Sequence, residues 1–462
     1  MATDERPGAR GPRPPGRSRL AAGAAILVAL ATLVIGVVYT VQNLLYVLAA
    51  LVADGLAVSA LWVAATNRRF RWWAAAAAVL LVAGSVASLV AAGRGLAALG
   101  VVVVGIALSA ALGTLALRYE VGAALDERWR PVPATRHGVL LVNPKSGDGK
   151  AERFKLADDA RRRGIEVVVL ERGDDLLALA EAAVARGADA LGMAGGDGSQ
   201  ALVASVAAAH GLPFVCIPAG TRNHFALDLG IDRDDPRRAL GAFGAARQST
   251  VDLGEVNGQV FVNNVSLGVY AEIVASDQYR EAKQKTVARM LPDLLGPDAP
   301  AYGLAVDRPG GRLEGLQLVQ VSNNPYTLSS LSGFGSRARM DAGVLGVAAV
   351  SVTRAASVTQ LVALEVAGHP ERFEGWHEWT TEHLEVDGPN PMPAAVDGEA
   401  RSWTPPLRFS IRRGVLEVRI APSERGASPA FTRTPLVAST LVGLARLVAG
   451  RPSGMVPGPV AP

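Results

Sequence analysis

Four long apolar segments near the start of the chain limit most strongly what this sequence can fold into. Between Leu20 and Leu117 only five charged residues occur: Asp54, Arg68, Arg69, Arg71 and Arg94. A membrane-spanning helix needs about 20 predominantly apolar residues, so this stretch is long enough for four. The pattern predicts transmembrane helices at 20–39, 44–66, 73–92 and 96–117. A buried helix of a soluble protein carries charge on one face, and a signal peptide is about four times shorter than this stretch.

The positive charge of the chain is concentrated around these apolar segments. The formal net charge is +4, but residues 1–119 hold ten Arg and only three acids. The leader 1–19 and the 67–71 connection are rich in Arg, whereas the other two connections hold one Arg between them. Because positively charged loops stay in the cytoplasm, everything after Arg118 is predicted to be cytoplasmic. The charge therefore indicates a multi-pass protein of the cell membrane and not a nucleic-acid-binding protein.

The rest of the chain predicts two soluble domains of different architecture. From 137 to 250, short apolar strands alternate with helical segments, which predicts an α/β domain with a parallel sheet. From 251 to 422, many short strands with Pro and Gly turns predict a β-sandwich, and Asn257-Gly258 is a strong hairpin signal. A C-terminal helix at 435–450 has apolar residues at helical spacing, which leaves open whether it packs on the protein or lies on a membrane surface.

The predicted fold class is therefore a multi-domain chain. A disordered basic leader at 1–19 precedes a transmembrane α-helical bundle at 20–118, an α/β nucleotide-binding domain and a β-sandwich substrate domain. Helices of the soluble part are predicted at 150–163, 174–185, 199–209 and 276–291, and the last two strands at 407–411 and 415–420. The single cysteine, Cys216, is predicted to be a buried reduced thiol.

Three glycine-containing loops follow strands of the predicted α/β domain. They are Asn143-Pro144-Lys145-Ser146-Gly147-Asp148-Gly149, Gly195-Gly196-Asp197-Gly198-Ser199 and Pro218-Ala219-Gly220-Thr221-Arg222-Asn223. Glycines let main-chain N–H groups approach phosphate oxygens, and a helix N-terminus adds a favourable dipole. Because the carboxyl ends of parallel strands meet at one sheet edge, the loops are predicted to form one nucleotide site. A single such loop is more often an ordinary turn, and the two common nucleotide signatures are absent.

At these loops the chain resembles the diacylglycerol kinase catalytic-domain family, which bacterial lipid kinases share with sphingosine and ceramide kinases. Gly195–Ser199 is similar to the family signature GGDG[TS], and Pro218–Ala226 is similar to P-x-G-T-x-N-x-F-A. Further along, Ala338–Gly343 is similar to A-[KR]-x-D-D-G and Val396–Glu399 to a segment with D-G-[DE]. The resemblance covers about 137–422. It implies ATP and magnesium, a cleft between two domains, and a lipid acceptor in the membrane.

The acids of these motifs are the candidate catalytic and metal-binding groups. Phosphoryl transfer needs positioned phosphates, a metal ion and an acceptor oxygen in line. Turn chemistry does not explain Glu399, so it is predicted to be the base that accepts the proton of a lipid hydroxyl, with Asp197 as the alternative. Asp397 is expected beside it, although an acid in an Asp-Gly turn is also a common turn former. The resemblance implies a structural magnesium, for which Asp341 is the candidate ligand.

Two departures from the family pattern leave the lipid undefined. His224 stands where many members have Asp, and Ala342 replaces the second acid of the D-D-G element. The leading hypothesis is a membrane-anchored kinase for a diacylglycerol-like lipid. The alternatives are an NAD-kinase-like enzyme with a soluble acceptor, and an inactive membrane protein that binds nucleotide or lipid. The sequence also leaves open whether the chain forms a homo-oligomer.

Overall fold

The computed structural model describes most of the chain. The described residues are 14–66, 70–91, 95–269, 271, 302–326, 335–352, 360, 364, 372–431 and 437–454. The chain forms two compact units. The first is Met1–Ala123 together with Thr434–Gly458, and the second is Ala124–Arg433 together with Pro459–Pro462.

Long apolar helices make up most of the first unit. They are α1 (Gly16–Gln42), α2 (Leu44–Thr66), α3 (Arg71–Ala91) and α4 (Gly95–Arg128). Each contains a segment that is long and apolar enough to cross a membrane. A long apolar helix is therefore present at each of the four predicted spans. Helix α1 begins at Gly16, inside the predicted leader, and α4 continues beyond Leu117 to Arg128.

A parallel sheet begins the second unit. After the short strand β1 (Arg130–Val132), its strands are β2 (Gly138–Val142), β3 (Glu166–Val169), β4 (Ala190–Gly195) and β5 (Phe214–Pro218). They lie in the order β3-β2-β4-β5, and all neighbouring pairs are parallel. Strands β2, β4 and β5 are buried at every position, as a sheet covered on both faces requires. The predicted α/β architecture is thus present, and Cys216 is a buried free thiol.

Short helices connect these strands. They are α5 (Lys150–Arg153), α6 (Leu156–Arg162), α7 (Leu176–Ala185), α8 (Asp197–Ala209) and α9 (His224–Asp228). The single helix predicted at 150–163 is wrong, because Lys155 adopts a left-handed conformation (φ 50°) that separates α5 from α6. The helix predicted to start at Ser199 starts at Asp197. The second glycine loop therefore contains the first turn of α8.

Mostly antiparallel strands follow in the described part of the second unit. They are β6 (Ala246–Val256), β7 (Gln259–Phe261), β8 (Asn264–Gly268), β9 (Leu304–Arg308), β10 (Gly311–Leu316), β11 (Leu318–Asn323), β12 (Leu345–Val350), β13 (Trp376–Thr381), β14 (His383–Asp387), β15 (Met392–Val396), β16 (Glu399–Trp403) and β17 (Leu407–Ile420). One sheet has the order β13-β12-β11-β8-β15-β16. The other strands join the parallel sheet through β17, which pairs parallel with β5 and antiparallel with β6 and β14.

The β-sandwich prediction holds only in part. Two sheets do enclose a common apolar core, but one of them is continuous with the parallel sheet. The strands predicted at 407–411 and 415–420 are one strand, β17, because an irregularity shifts its register without ending it. Asn257 and Gly258 form the predicted tight turn between β6 and β7, with φ angles of 46° and 85°. The helix predicted at 276–291 lies outside the described residues.

A last helix, α10 (Val437–Val448), belongs to the first unit. Its residues Leu444 and Leu447 are buried in a cluster with alanines of α1 and with Ala116 of α4. Leu441 and Val442 are exposed. One face of the C-terminal helix therefore packs on the protein. That its exposed apolar face lies on a membrane surface stays a prediction.

Candidate active site

Three glycine-containing loops meet at the carboxyl ends of β2, β4 and β5. The first loop is tied to β4, because the N–H of Asn143 donates to the carbonyl oxygen of Ala194 (2.9 Å). A Cβ atom on Gly147 would lie only 2.5 Å from the carbonyl oxygen of Ala219, so the first and third loops touch through their main chains. The loops that the sequence placed at one sheet edge therefore do lie together.

The second and third loops also touch through glycines. A Cβ atom on Gly220 would collide with the Cα atom of Gly196. Asn223 closes the third loop, because its Oδ1 accepts the N–H of Gly220 (2.9 Å) and its Nδ2 donates to the carbonyl of the same residue (2.6 Å). Only residues without a side chain allow this approach. The three loops consequently form one surface of main-chain groups.

The N-terminus of α8 lies in this surface. Gly196 is its N-cap, and Asp197 and Gly198 form its first turn. The free N–H groups and the positive dipole end of a helix N-terminus suit phosphate oxygens. The buried carboxylate of Asp197 accepts the N–H groups of His224 (3.0 Å) and Phe225 (3.1 Å) at the start of α9. Asp197 therefore holds the third loop against the second, and its contacts favour a positioning role over that of a base.

The turn between β15 and β16 brings Asp397 to the same place. Its Oδ1 accepts the N–H groups of Asn263 (2.8 Å) and Asn264 (3.2 Å), and its Oδ2 accepts that of Val262 (3.0 Å). Burial raises the pKa of Asp397 to about 7, although the three N–H donors act in the opposite direction. Because both oxygens are held by main-chain groups, Asp397 fixes the position of the turn.

Glu399 follows in β16 and has a different environment. Its side chain is 54% exposed, and its Oε2 accepts a hydrogen bond from Nη2 of Arg401 (3.1 Å). Its Oε1 lies so close to Gly198 that a Cβ atom there would overlap it. Glu399 is thus an accessible carboxylate directly beside the first turn of α8. A general base needs this kind of access to the group that loses the proton.

These groups line a cleft of about 720 Å³. The predicted site residues that line it are Ser146, Gly196, Asp197, Gly198, Gly220, Thr221, Asp397 and Glu399. The other predicted loop residues shape the loops without joining the lining that the described residues form: Asn143, Pro144, Lys145, Gly147, Gly195, Ser199 and Asn223. Lys145 is exposed and does not line the cleft that the described residues form.

Two arginines of the cleft were not predicted. Arg222 lies in the third loop, and Arg401 lies two residues after Glu399 on β16. Since residues two apart on a strand share a face, the spacing of Glu399 and Arg401 was the available signal. Both guanidinium groups can donate to phosphate oxygens.

His224, the departure from the family pattern in the third loop, also lines the cleft. Burial lowers its pKa to about 4, although the negative charge of Asp197 opposes this shift. The imidazole is therefore neutral at neutral pH. Where the family pattern has an acid, this cleft presents an uncharged ring.

A fully buried ion pair lies behind the cleft. Arg337 donates through Nε to Oδ2 of Asp228 in α9 (2.6 Å). Its Nη1 donates to the carbonyl oxygens of Val262 (2.6 Å) and Asn323 (2.8 Å). Val262 is also a main-chain donor to Asp397, so the ion pair connects α9 with the segment that holds this acid. The sequence did not predict the pair, because its members are far apart along the chain and outside the recognised motifs.

Asp341 does not fit the predicted role of a magnesium ligand. Its two carboxylate oxygens accept hydrogen bonds from Nε and Nη2 of Arg339, each at 2.8 Å. Ala342 supplies no second carboxylate, and its N–H donates to Oδ1 of Asn324 (2.6 Å). Among the described residues, no group of three or more His, Cys, Asp or Glu could hold a metal ion. The guanidinium group of Arg339 thus pairs with the carboxylate that the resemblance implied as a magnesium ligand.

Residues 137–256 match the family model described as the diacylglycerol kinase catalytic domain. The matched segment makes up 120 of the 462 residues of the chain. It runs from just before β2 to the end of β6 and therefore contains all three glycine loops. The resemblance predicted from the motifs is confirmed by this match.

Named relatives are similar to part of this chain. A diacylglycerol kinase of Mycobacterium tuberculosis (strain CDC 1551 / Oshkosh) is 38% identical over 122 residues, which are 26% of this chain and 40% of the relative. The Pseudomonas fluorescens protein named "Probable lipid kinase YegS-like" is 32% identical over 146 residues, which are 30% of this chain and 48% of the relative. The chain thus spans less than half the length of these relatives.

A solved structure of a diacylglycerol kinase from Bacillus anthracis str. Sterne is also similar to this chain. The TM-score is 0.48 and the sequence identity 18%, over 63% of this chain and 98% of the other.

Proposed function

We propose that this chain is a membrane-anchored lipid kinase that transfers the γ-phosphate of ATP to the hydroxyl group of a diacylglycerol-like lipid. The observation that carries this proposal is the meeting of three main-chain loops with Glu399 in one cleft. The family of residues 137–256 supports kinase chemistry. The lipid acceptor rests on the apolar helices and on the names of the relatives.

The loop side of the cleft is suited to the triphosphate. Main-chain N–H groups at the N-terminus of α8 can donate to its oxygens, and Arg222 and Arg401 add positive charge. The lining also holds four acids: Asp148, Asp197, Asp397 and Glu399. This excess of negative charge suits a nucleotide that carries its own cation.

A magnesium ion bound to ATP neutralises charge on the phosphates and on the leaving oxygen. Because the described residues form no group of three metal ligands, most ligands of this ion would come from the phosphates and water. The carboxylates of Asp197 and Asp397 already accept main-chain N–H groups. The exposed Asp148 of the first loop is therefore the cleft acid best suited to be a further ligand of the magnesium ion.

Glu399 supplies the proton acceptor in this proposal. The lipid hydroxyl oxygen forms a bond to the γ-phosphorus, the bond from that phosphorus to the bridging oxygen breaks, and ADP leaves. The hydroxyl proton passes to the carboxylate of Glu399. Arg401 orients this carboxylate through the hydrogen bond to Oε2. Asp397 positions the turn from which both side chains extend.

The membrane helices explain how such an enzyme meets a water-insoluble acceptor. The arginine-rich leader and the 67–71 connection favour a cytoplasmic location for both ends of the bundle. The second unit is then cytoplasmic, where ATP is available. In this proposal, the anchor keeps the kinase at the surface that contains its lipid.

A transfer assay tests the proposed function. The full chain in mild detergent receives ATP labelled at the γ-phosphate, with either a total membrane lipid extract or NAD as the acceptor. We expect label in an organic-soluble product whose mass exceeds that of a diacylglycerol-like lipid by one phosphate group. Label in NAD would favour the soluble-acceptor alternative. Binding of ATP without transfer to any lipid of the extract would favour an inactive binding protein.

A further inference from the structure

The first unit contains a large apolar groove that the proposed reaction does not use. It lies between α1, α4 and α10 and encloses about 950 Å³. Its size falls within the range of small-molecule sites in proteins. All of its described lining residues are uncharged. The groove is formed by residues other than those of the cleft in the second unit.

The groove follows two antiparallel helices. Ser18 Oγ of α1 donates to the carbonyl of Ala116 in α4 (2.9 Å), and Ser109 Oγ of α4 donates to the carbonyl of Ala25 in α1 (2.9 Å). Its lining on α4 runs from residue 98 to residue 117, which at 1.5 Å per residue is about 28 Å. The hydrocarbon core of a bilayer is about 30 Å thick. The groove is thus long enough to hold an extended hydrocarbon chain.

One hydroxyl group in the groove differs from the others. Thr32, Thr40 and Thr114 donate to main-chain carbonyls of their own helices, at 2.7 to 2.8 Å. The hydroxyl of Tyr39 is buried and has no hydrogen-bond partner among the described residues. A buried hydroxyl without a partner is unfavourable, so this group calls for an acceptor from outside the chain. Tyr39 lies near the C-terminal end of α1, at one end of the groove.

We infer that this groove binds one membrane lipid, with an acyl chain along α1 and α4 and an ester oxygen that accepts the hydrogen bond of Tyr39. The uncharged lining suits a hydrocarbon chain and does not suit a soluble anion. A helix of a second copy suits it less, because the carbonyls of a helix already accept hydrogen bonds within the helix. The oxygen atoms of a lipid ester, in contrast, are free to accept the hydrogen bond of Tyr39.

The matched variants follow from the same helices. A Cβ atom on Gly36 in the groove would lie 3.6 Å from Val102, so Gly36→Leu fills the groove without a clash at its first atom. Gly55→Leu in α2 is the control, since nothing lies within 4 Å of its Cβ position and it is not part of the lining. Tyr39→Phe removes only the hydroxyl oxygen, and Tyr46→Phe on the exposed surface of α2 is its control.

Photo-crosslinking tests the inference. The full chain is reconstituted into vesicles of phosphatidylethanolamine and phosphatidylglycerol that contain a phosphatidylethanolamine with a diazirine on one acyl chain. After illumination, mass spectrometry maps the modified residues. We expect adducts concentrated on the groove residues of α1, α4 and α10. Gly36→Leu should abolish them, and Tyr39→Phe should lower them about fivefold, the effect of one lost hydrogen bond.

The two control variants should behave as the unchanged chain. Adducts spread evenly over the exposed faces of all four long helices, and unchanged by Gly36→Leu, would overturn the inference in favour of bulk lipid. Crosslinks from one copy of the chain to another through the groove residues would overturn it in favour of a dimer. If Gly36→Leu loses helix content, Tyr39→Phe alone decides. None of these results depends on kinase activity, so failure here leaves the proposed function untouched.

Discussion

The two sides of the cleft are built by different means. On the side of the parallel sheet, glycines let three loops touch through their main chains, and N–H groups form the surface. On the side of the antiparallel strands, buried charged side chains hold the turn with Asp397 in place. The carboxylate of Asp397 accepts main-chain N–H groups of residues 262–264, and the ion pair of Arg337 and Asp228 supports the same segment. The first side depends on short motifs, whereas the second depends on contacts between residues that are far apart along the chain.

The largest effect is expected from breaking the side-chain network. Arg337→Leu leaves Asp228 buried without its partner, which should lower the free energy of unfolding by about 3–5 kcal/mol. Denaturant unfolding of the full chain measures this change. Arg408→Leu is the control, because its pair with Glu385 is exposed and worth at most about 1 kcal/mol. Equal losses in both variants would contradict the importance given to the buried pair.

The pH dependence of stability should reveal Asp397 on the same side. Its pKa is raised from 3.8 to about 7, so the folded chain keeps a proton that the unfolded chain has lost in this interval. The corresponding stabilisation is complete below pH 3.8 and is lost as the pH rises through about 7. At roughly 1.4 kcal/mol per pKa unit, the loss amounts to a few kcal/mol. The unfolding curves of Asp397→Asn should lack this decline, and curves parallel to those of the unchanged chain would refute the assignment.

The main-chain side should respond to a single methyl group. Gly220→Ala places a Cβ atom against Gly196, which should push the second and third loops apart. A shift of about 1 Å in such a site can cost roughly a hundredfold in rate. Steady-state phosphate transfer measures the effect, and Gly122→Ala, where no atom lies within 4 Å of the Cβ position, is the control. Normal transfer by Gly220→Ala would show that close contact of the loops is not needed.

The smallest effect concerns the loop with Asp341. Since Arg339 holds both carboxylate oxygens, the midpoint of thermal unfolding without nucleotide should be the same in magnesium and in EDTA. Arg339→Gln should cost about 1 kcal/mol, as expected for a partly exposed pair. A lower midpoint in EDTA would restore the structural magnesium that the resemblance implied.

The contrast between the two sides explains what the sequence could predict. The four long apolar helices, the alternating strands and the loops with Gly147, Gly196 and Gly220 follow from local pattern, because apolar length and glycine positions are visible in short windows. The left-handed Lys155 that splits a helix carries no such signal. The ion pair of Arg337 and Asp228 can be predicted only when it is known which distant segments meet. The pairing of β17 with β5 can be predicted only when the order of the strands in the sheet is known. Local pattern contains neither.

The central claim is that the main-chain loops hold a triphosphate beside Glu399, which accepts the proton of the lipid. Glu399→Gln tests it most directly, with Glu385→Gln as the control, because Glu385 is also about half exposed and paired with an arginine. Turnover and ATP affinity are measured for both. We predict that Glu399→Gln lowers turnover by about 10²–10⁴-fold with unchanged ATP affinity, while Glu385→Gln changes neither. Unchanged turnover in Glu399→Gln, or a parallel loss of ATP binding, would contradict the account.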